Sequence, residues 1–236
     1  MNRIKVIVID DERSAREELK TSLKAYPEFE LVGEARNADE AREQIKQKDP
    51  DLIFLDIRMP EESGFDLLES LDKTPAVIFT TAFDQYAVQA FEVNALDYLM
   101  KPIREERFAK AIEKVQAGIN KDPSVHTTDR RIFIRDGDKC FFIKTGAIYL
   151  IESLGNYSRL YFNDQKAIVK RSLRQWEEIL GEAPFFRINR TQIINTDHIR
   201  EAGSLSKGGL RITLKTGESL EVSNRQSIKL KNLNRL

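Results

Sequence analysis

Asp10, Asp11, Asp56, Thr81 and Lys101 are the residues of this 236-residue chain whose types could do chemistry together. Three carboxylates brought within a few ångströms repel one another, and such a cluster persists with a divalent cation or with shifted protonation. Magnesium suits it, because that ion takes oxygen ligands, keeps several waters and uses one or two carboxylates together with a phosphoryl oxygen. Zinc would lack the nitrogen and sulfur ligands it prefers. A lysine and a threonine at the same place supply what phosphoryl transfer requires: a cation to neutralise equatorial oxygens and a hydroxyl to bond one of them. Asp10 and Asp11 form a pair fit to hold metal. Asp56 stands alone after a wholly apolar run, which makes it the natural acceptor of an acyl phosphate.

These side chains meet only if particular elements carry them. Each follows a short apolar run that reads as a buried parallel strand: Val6–Ile9, Leu52–Leu55, Val77–Phe79 and Tyr98–Met100. In open parallel sheets ligands bind beyond the carboxyl edge, where all five would then lie. Between the runs, Ala15, Leu19, Leu23 and Tyr26 recur at helical spacing, residues 30–35 read as a further strand, and Asn37 with Glu40 forms a capping-box-like start for a helix to Lys48. Asp49-Pro50-Asp51 breaks that helix. Short helices are expected around Phe65–Leu71 and Tyr86–Val93, and a last one over about Arg104–Asn120. Repeated βα units of this length predict a flavodoxin-like, five-stranded parallel sheet over residues 1–121.

Residues 122–130 are polar and aperiodic, as an interdomain linker is. Beyond them, segments rich in Ile, Phe, Tyr and Val alternate with turn signals at Asp136-Gly137-Asp138, Gly155-Asn156, Asn163-Asp164, Lys207-Gly208-Gly209 and Thr216-Gly217-Glu218. That pattern predicts a mostly β second domain over 131–236, antiparallel, with one or two short helices such as the one marked by Leu173, Trp176 and Leu180.

The formal net charge of zero conceals a division. Residues 1–122 carry 18 Lys+Arg against 26 Asp+Glu and residues 123–236 carry 20 against 12, so the halves stand at −8 and +8. The acidic half suits a cation site and the basic half a polyanion. One cysteine, Cys140, excludes an internal disulfide and any multi-cysteine zinc site. No stretch approaches the roughly 18 apolar residues of a membrane span, so a cytoplasmic protein without membrane insertion is expected.

The acidic half resembles the receiver domain of two-component response regulators. The resemblance rests on Ile9-Asp10-Asp11-Glu12, Leu55-Asp56-Ile57-Arg58-Met59-Pro60, Gly64, Thr81-Ala82 and Tyr98-Leu99-Met100-Lys101-Pro102. It implies that Asp56 takes a phosphoryl group from a sensor histidine kinase, and that Asp10, Asp11, Asp56 and the backbone carbonyl of Arg58 hold Mg2+. It further implies a cis Lys101–Pro102 bond and a switch pair of Thr81 and Tyr98, in which Tyr98 packs inward as the Thr81 hydroxyl turns to the phosphoryl oxygen. Arg58 and Phe83 would overlook the phosphoryl group and tune its hydrolysis. A haloacid-dehalogenase-type phosphatase needs a second acid two residues after its nucleophile, and position 58 is Arg.

The basic half shows no pair of adjacent helices suited to a helix-turn-helix. Ile148–Ser158 and Phe185–Asn195 are similar instead to the LytTR DNA-binding domain of the LytR/AlgR family. The resemblance implies contacts to double-stranded promoter DNA from loops: Asn156, Tyr157, Ser158 and Arg159 in the first, Arg190 in the second, and Asn224 and Arg225 in the last. Arg can read a guanine edge bidentately, Asn can read adenine, and Ser or Lys can hold phosphate. The whole chain then reads as a phosphorylation-dependent transcription regulator that homodimerises through the receiver face around residues 85–120, and not as an enzyme acting on metabolites. The rival is an interaction module whose basic half meets an acidic protein or a membrane surface.

Overall fold

The computed structural model describes residues 3–82, 96–119, 130–205 and 209–232. Phe83, the helix expected at Tyr86–Val93, the linker up to residue 129 and the Lys207-Gly208 turn lie outside them. The chain forms two compact units, Met1–Phe142 and Ile143–Leu236.

The first unit runs β1 (Ile4–Ile9), α1 (Arg13–Leu23), β2 (Phe29–Ala35), α2 (Ala38–Lys48), β3 (Leu52–Asp56), α3 (Gly64–Ser70), β4 (Ala76–Thr81), β5 (Asp97–Met100) and α4 (Glu105–Ile119). All strand pairings are parallel, in the order β2-β1-β3-β4-β5. The order reverses between β1 and β3, which opens a crevice beyond the carboxyl ends of those strands. Successive strand residues point to opposite faces. Val6, Val8, Phe54, Ile78 and Leu99 pack with Leu19 and Leu23 of α1 and with Phe108, Ile112 and Val115 of α4. Ile7, Ile9, Ile53, Leu55 and Phe79 pack with Ala41 and Ile45 of α2 and with Phe65 and Leu68 of α3. Burial on both faces is why these strands read as unbroken apolar runs.

Local signals set the helix starts that frame the crevice. The Asn37 side chain accepts from the Glu40 N–H at 2.9 Å. Ser63 and Asp66 form a full capping box at the start of α3, each satisfying the other's backbone N–H. Gly64, the first residue of α3, donates its N–H to the Ile57 carbonyl at 2.8 Å. A Cβ at position 64 would lie 2.4 Å from the Asp56 carbonyl oxygen, so only glycine lets α3 begin this close to the end of β3.

After the linker a hairpin forms from β6 (Arg131–Asp136) and β7 (Lys139–Lys144), turning at Gly137 with φ +60°. Up to Phe142 it packs as part of the first unit. The reason is its aromatic face: Phe133 and Cys140 join the core cluster beneath α3 and β4.

The second unit holds β8 (Ile148–Leu154), β9 (Tyr157–Phe162), β10 (Gln165–Val169), α5 (Leu173–Leu180), β11 (Phe185–Arg187), β12 (Gln192–Asn195), β13 (Ile199–Ser204), β14 (Leu210–Leu214), β15 (Ser219–Val222) and α6 (Asn224–Asn232). Five strands pair antiparallel as β10-β9-β8-β12-β11 and three as β13-β14-β15. Tyr149, Leu150, Ile188 and Ile194 meet Ile212, Leu214 and Val222 in one core, closed by Leu230 of α6. This is the expected mostly β domain with two short helices.

Gly64→Ala is expected to destabilise the first unit by about 1–3 kcal/mol, because the backbone of Asp56 cannot give way as a flexible side chain would. Urea denaturation of the purified variant measures this directly.

Candidate functional site

The five strand-end residues meet where the topology sends them. Asp10 follows β1 and is fully buried, Asp56 ends β3 at 5% exposure, and Thr81 ends β4 with its side chain enclosed. Lys101 follows β5 and reaches across all three strands: its Nζ lies 2.7 Å from Asp10 Oδ2, 2.7 Å from Asp56 Oδ2 and 3.6 Å from Glu12 Oε2. Asp11 is exposed at the rim. One carboxylate oxygen from each of Asp10, Asp11 and Asp56 lies within 4.8 Å of the others. The Lys101–Pro102 peptide is cis, as the resemblance implied.

Backbone groups fix the acids in place. Asp10 Oδ1 accepts from the Glu12 N–H and Asp56 Oδ1 from the Arg58 N–H, both at 3.0 Å. Arg16 of α1, which the sequence did not single out, donates to the carbonyls of Asp10 and Asp11 at 2.7 and 3.2 Å and so holds the acidic loop against the helix. Burial pushes the Asp10 carboxyl up to about 6; the hydrogen bond and charge of Lys101 oppose this, and the nearby Asp56 charge adds to it. Burial also works against the Lys101 charge, but Asp10 and Asp56 outweigh it and hold the ammonium above the ordinary lysine value.

The Thr81 hydroxyl is buried with no hydrogen-bond partner among the described residues. A buried hydroxyl costs free energy unless it is bonded, so an acceptor is expected to visit it. Three convergent carboxylates, a lysine and this unpartnered hydroxyl fit a magnesium ion beside a phosphoryl group. Tyr98 already packs inward at 8% exposure within the core that lines α3 and β4.

Asp97 is a further residue that sequence reasoning missed. Its carboxylate is 2% exposed and is held by Arg107 at 2.9 Å, Lys114 at 3.2 Å and the Tyr98 N–H at 2.9 Å. Burial raises its pKa, but these partners outweigh burial and leave it below the usual carboxylate value. Arg107 also donates to the Tyr98 carbonyl at 2.7 Å, so α4 is bolted to the backbone of the expected switch residue.

In the second unit Asn156, Tyr157, Arg190, Asn224 and Arg225 are exposed and Arg159 is half-buried. A polar network brings their three segments to one end of the unit. Asn189 Nδ2 donates to Gln192 Oε1 at 2.8 Å and to the Glu221 carbonyl at 3.1 Å, while its Oδ1 accepts from the Thr191 N–H. Gln192 donates to Glu152, whose other oxygen accepts from the Tyr161 hydroxyl at 2.6 Å. Glu152 faces Arg159 across the β8–β9 ladder, and the Ser223 N–H donates to the Ile188 carbonyl at 3.0 Å. Arg187 pairs with Glu177 at 2.9 Å and donates to the Asn189 and Arg190 carbonyls, which shapes the turn that displays Arg190.

Ser158 departs from the expectation that it touches DNA. It is fully buried, and its Oγ accepts from Trp176 Nε1 at 2.6 Å. In β9 (Tyr157–Phe162) the inward register belongs to Ser158, Leu160 and Phe162, so the turn is Gly155-Asn156 alone and Tyr157, Ser158 and Arg159, expected in the loop, lie in the strand.

Two family models match the chain: the response regulator receiver domain over residues 6–113 and the LytTr DNA-binding domain over residues 138–234. The chain is 34% identical over 226 residues to the sensory transduction protein LytT of Enterococcus faecalis, covering 92% of this chain and 93% of that one. It is 34% identical over 231 residues to the transcriptional regulatory protein LytR of Staphylococcus aureus strain MW2, covering 93% and 94%. Among solved structures, it resembles the response regulatory domain of mrkE from Klebsiella pneumoniae, with 31% identity and a TM-score of 0.46 over 50% of this chain and 98% of that one. It also resembles a LytTr DNA-binding domain from Bacillus cereus, with 18% identity and a TM-score of 0.41 over 44% and 95%. No helix among the described residues is long and apolar enough to cross a membrane.

Ser158→Ala is expected to cost about 1–3 kcal/mol of stability in urea melts, by leaving the Trp176 N–H buried and unpaired. Asp10 supplies a pH test. Its pKa of about 6 in the folded chain lies above the ordinary 3.8, so its favourable contribution is complete below about pH 4 and is lost as pH rises through 6. The stability of Asp10→Asn relative to the parent, measured in a chelator, is therefore expected to rise by up to about 3 kcal/mol between pH 4 and pH 7.

Proposed function

Because the chain belongs to the family of response regulators that join a receiver domain to a LytTr DNA-binding domain, we propose that Asp56 is its phosphoacceptor and that the turns at Asn156 and Arg190 and the start of α6 at Arg225 carry the signal to DNA. The observation that supports this best is the Lys101 ammonium at 2.7 Å from the Asp56 carboxylate, beside two further acids and a buried hydroxyl without a partner.

An Asp56 carboxylate oxygen attacks the phosphorus of a phosphohistidine on the sensor kinase. A P–O bond forms as the P–N bond breaks, and the imidazole leaves with the electron pair. Lys101 then turns from a carboxylate partner into a counter-charge for the phosphoryl oxygens, and the Thr81 hydroxyl donates to one of them. Asp10, Asp11, Asp56 and the Arg58 carbonyl would hold Mg2+, which supplies charge neutralisation on the transferring group. Water attack on the acyl phosphate resets the site slowly, with Arg58 beside the phosphoryl group; Phe83, the other residue expected to govern that rate, lies outside the described residues. No free metabolite is consumed. Tyr98 is already inward, so the switch is a change in what Thr81 bonds and in how tightly Asp97 and Arg107 hold the Tyr98 backbone.

At the output end, Asn156, Tyr157, Arg159, Arg190, Asn224 and Arg225 meet the duplex, and Ser158 is left in the core. The +8 charge of residues 123–236 favours the phosphate backbone. Phosphorylation favours a homodimer, and two linked modest binders gain avidity without any new contact. A kinase donor and a DNA target are what support a cytoplasmic site of action.

Fluorescence anisotropy on a duplex selected from a random pool, with and without a small phosphodonor and magnesium, tests the reading. The donor is expected to tighten binding at least about tenfold, through the avidity of the dimer. Asp56→Asn is expected to abolish the response, and an Asp56→Asn chain that still responds sinks the mechanism. Arg190→Ala and Arg225→Ala should each cost about 1–3 kcal/mol of DNA affinity while leaving Asp56 phosphorylation intact.

A further inference from the structure

The receiver match ends at residue 113 and the DNA-binding match begins at 138, so the β6–β7 hairpin starts ahead of the second match and its strand β7 lies within it. Both of its faces are buried, Phe133 on one and Ile132 and Ile134 on the other. Phe133 is fully buried and stacks on Phe65 of α3, with centroids 6.2 Å apart and planes 12° from parallel. Phe142 lies between Phe133 at 5.1 Å and Phe79 of β4 at 6.5 Å. Around this aromatic stack the edges are polar and complementary. The Thr74 N–H donates to the Arg131 carbonyl at 2.9 Å, and Arg135 pairs with Asp66 at 3.0 Å and Glu69 at 3.5 Å, both on α3.

The two aromatic residues that receive the hairpin are tied to the phosphoacceptor crevice. Phe65 follows Gly64, whose close approach to the Asp56 backbone fixes the start of α3. Phe79 lies two residues before Thr81 on β4 and sits opposite Leu55 in the β3–β4 register, one residue before Asp56. A movement of either strand end is therefore transmitted to a ring against which the hairpin packs, because close-packed interiors pass displacement on and do not absorb it. On its other side the hairpin continues through a short 3-10 turn, Thr145–Ala147, into β8, the strand that leads to the Asn156 loop.

We propose that the face formed by α3 and β4 is an output surface of the receiver, distinct from the expected dimer face around residues 85–120, and that its partner is the β6–β7 hairpin of the same chain. The docked hairpin couples the Asp56 site to the DNA-binding half, and phosphorylation alters its grip. The docking itself stands on the aromatic and ionic contacts above, while the phosphorylation step rests on the assignment of Asp56.

The chain carries its own reporter. Cys140 is its single cysteine, lies in the hairpin and is 6% exposed within the shared core. Burial also pushes its thiol up to about 11, which further slows reaction with thiol reagents. In the full chain under native conditions, Cys140 is expected to react with a maleimide at least about a hundredfold more slowly than in urea. Arg135→Glu sets a like charge against Asp66 and Glu69, and should raise the native rate at least about tenfold without loss of secondary structure. A native rate equal to the unfolded rate, or an unchanged rate in Arg135→Glu, overturns the docking. Adding phosphodonor and magnesium should change the rate at least about threefold in the parent and not in Asp56→Asn. An unchanged rate in chains shown by mass spectrometry to be phosphorylated overturns the coupling. Failure of Asp56 to take phosphoryl overturns the functional reading alone, since protection and its loss in Arg135→Glu are measured without donor.

Discussion

Two buried carboxylates at the ends of neighbouring parallel strands cannot both stay ionised in a low-dielectric crevice unless a cation stands between them. In this chain the cation is Lys101, 2.7 Å from Asp10 and from Asp56, and its reach from the end of β5 makes one site out of strands far apart in sequence. Much of the first unit can be read as support for that contact. The parallel order places β1 and β3 side by side, Gly64 lets α3 start against the end of β3, and Arg16 holds the acidic loop by its carbonyls. Burial raises the Asp10 pKa to about 6 against the opposition of Lys101, and the Asp56 charge adds a smaller push in the same direction.

The second unit solves the opposite problem. A surface meant for a polyanion must display cations without letting them collapse onto local acids, and Glu152, Glu177 and Glu221 all lie near the candidate loops. The network occupies them: Glu152 with Gln192 and Tyr161 while it faces Arg159 across the ladder, Glu177 with Arg187, and Glu221 with Arg211. Arg187 is thereby consumed in shaping a turn, and Arg190 is the arginine that the turn presents. Asn189 is the hinge of the arrangement, because its amide links the β11–β12 turn to the end of β15. Buried or half-buried networks of this kind are valuable only when every member is satisfied, which fixes the loops relative to one another.

The strand-end chemistry was legible because each functional residue interrupts an apolar run, and two-sided burial makes such runs conspicuous. Asp97 gave no such signal: its charge sits at the start of an apolar strand and its partners, Arg107 and Lys114, lie on a helix whose docking only the fold reveals. Ser158 was misplaced for the converse reason. The polar string Gly155-Asn156-Tyr157-Ser158 looks like a loop, yet alternation counted back from Phe162 and Leu160 puts Ser158 inward, where its small hydroxyl meets the Trp176 N–H. The strand pattern groups the hairpin with the second domain, and Phe133 and Cys140 nonetheless pack in the core of the first unit. Patterns of alternation reveal that a face is apolar and do not reveal which unit covers it.

That ambiguity bears on how a receiver can speak to an appended domain. A flexible tether alone transmits little beyond effective concentration, and a change at Asp56 would then act only through dimerisation. A hairpin whose rings lie against Phe65 and Phe79 offers a second route, since those residues share strands or helix starts with Asp56 and Thr81. Both routes can operate on one switch, provided phosphorylation has different interaction free energies with the two states of each. On the proposed assignment of Asp56, the buried Thr81 hydroxyl and the Asp10 carboxyl are where such a difference would originate.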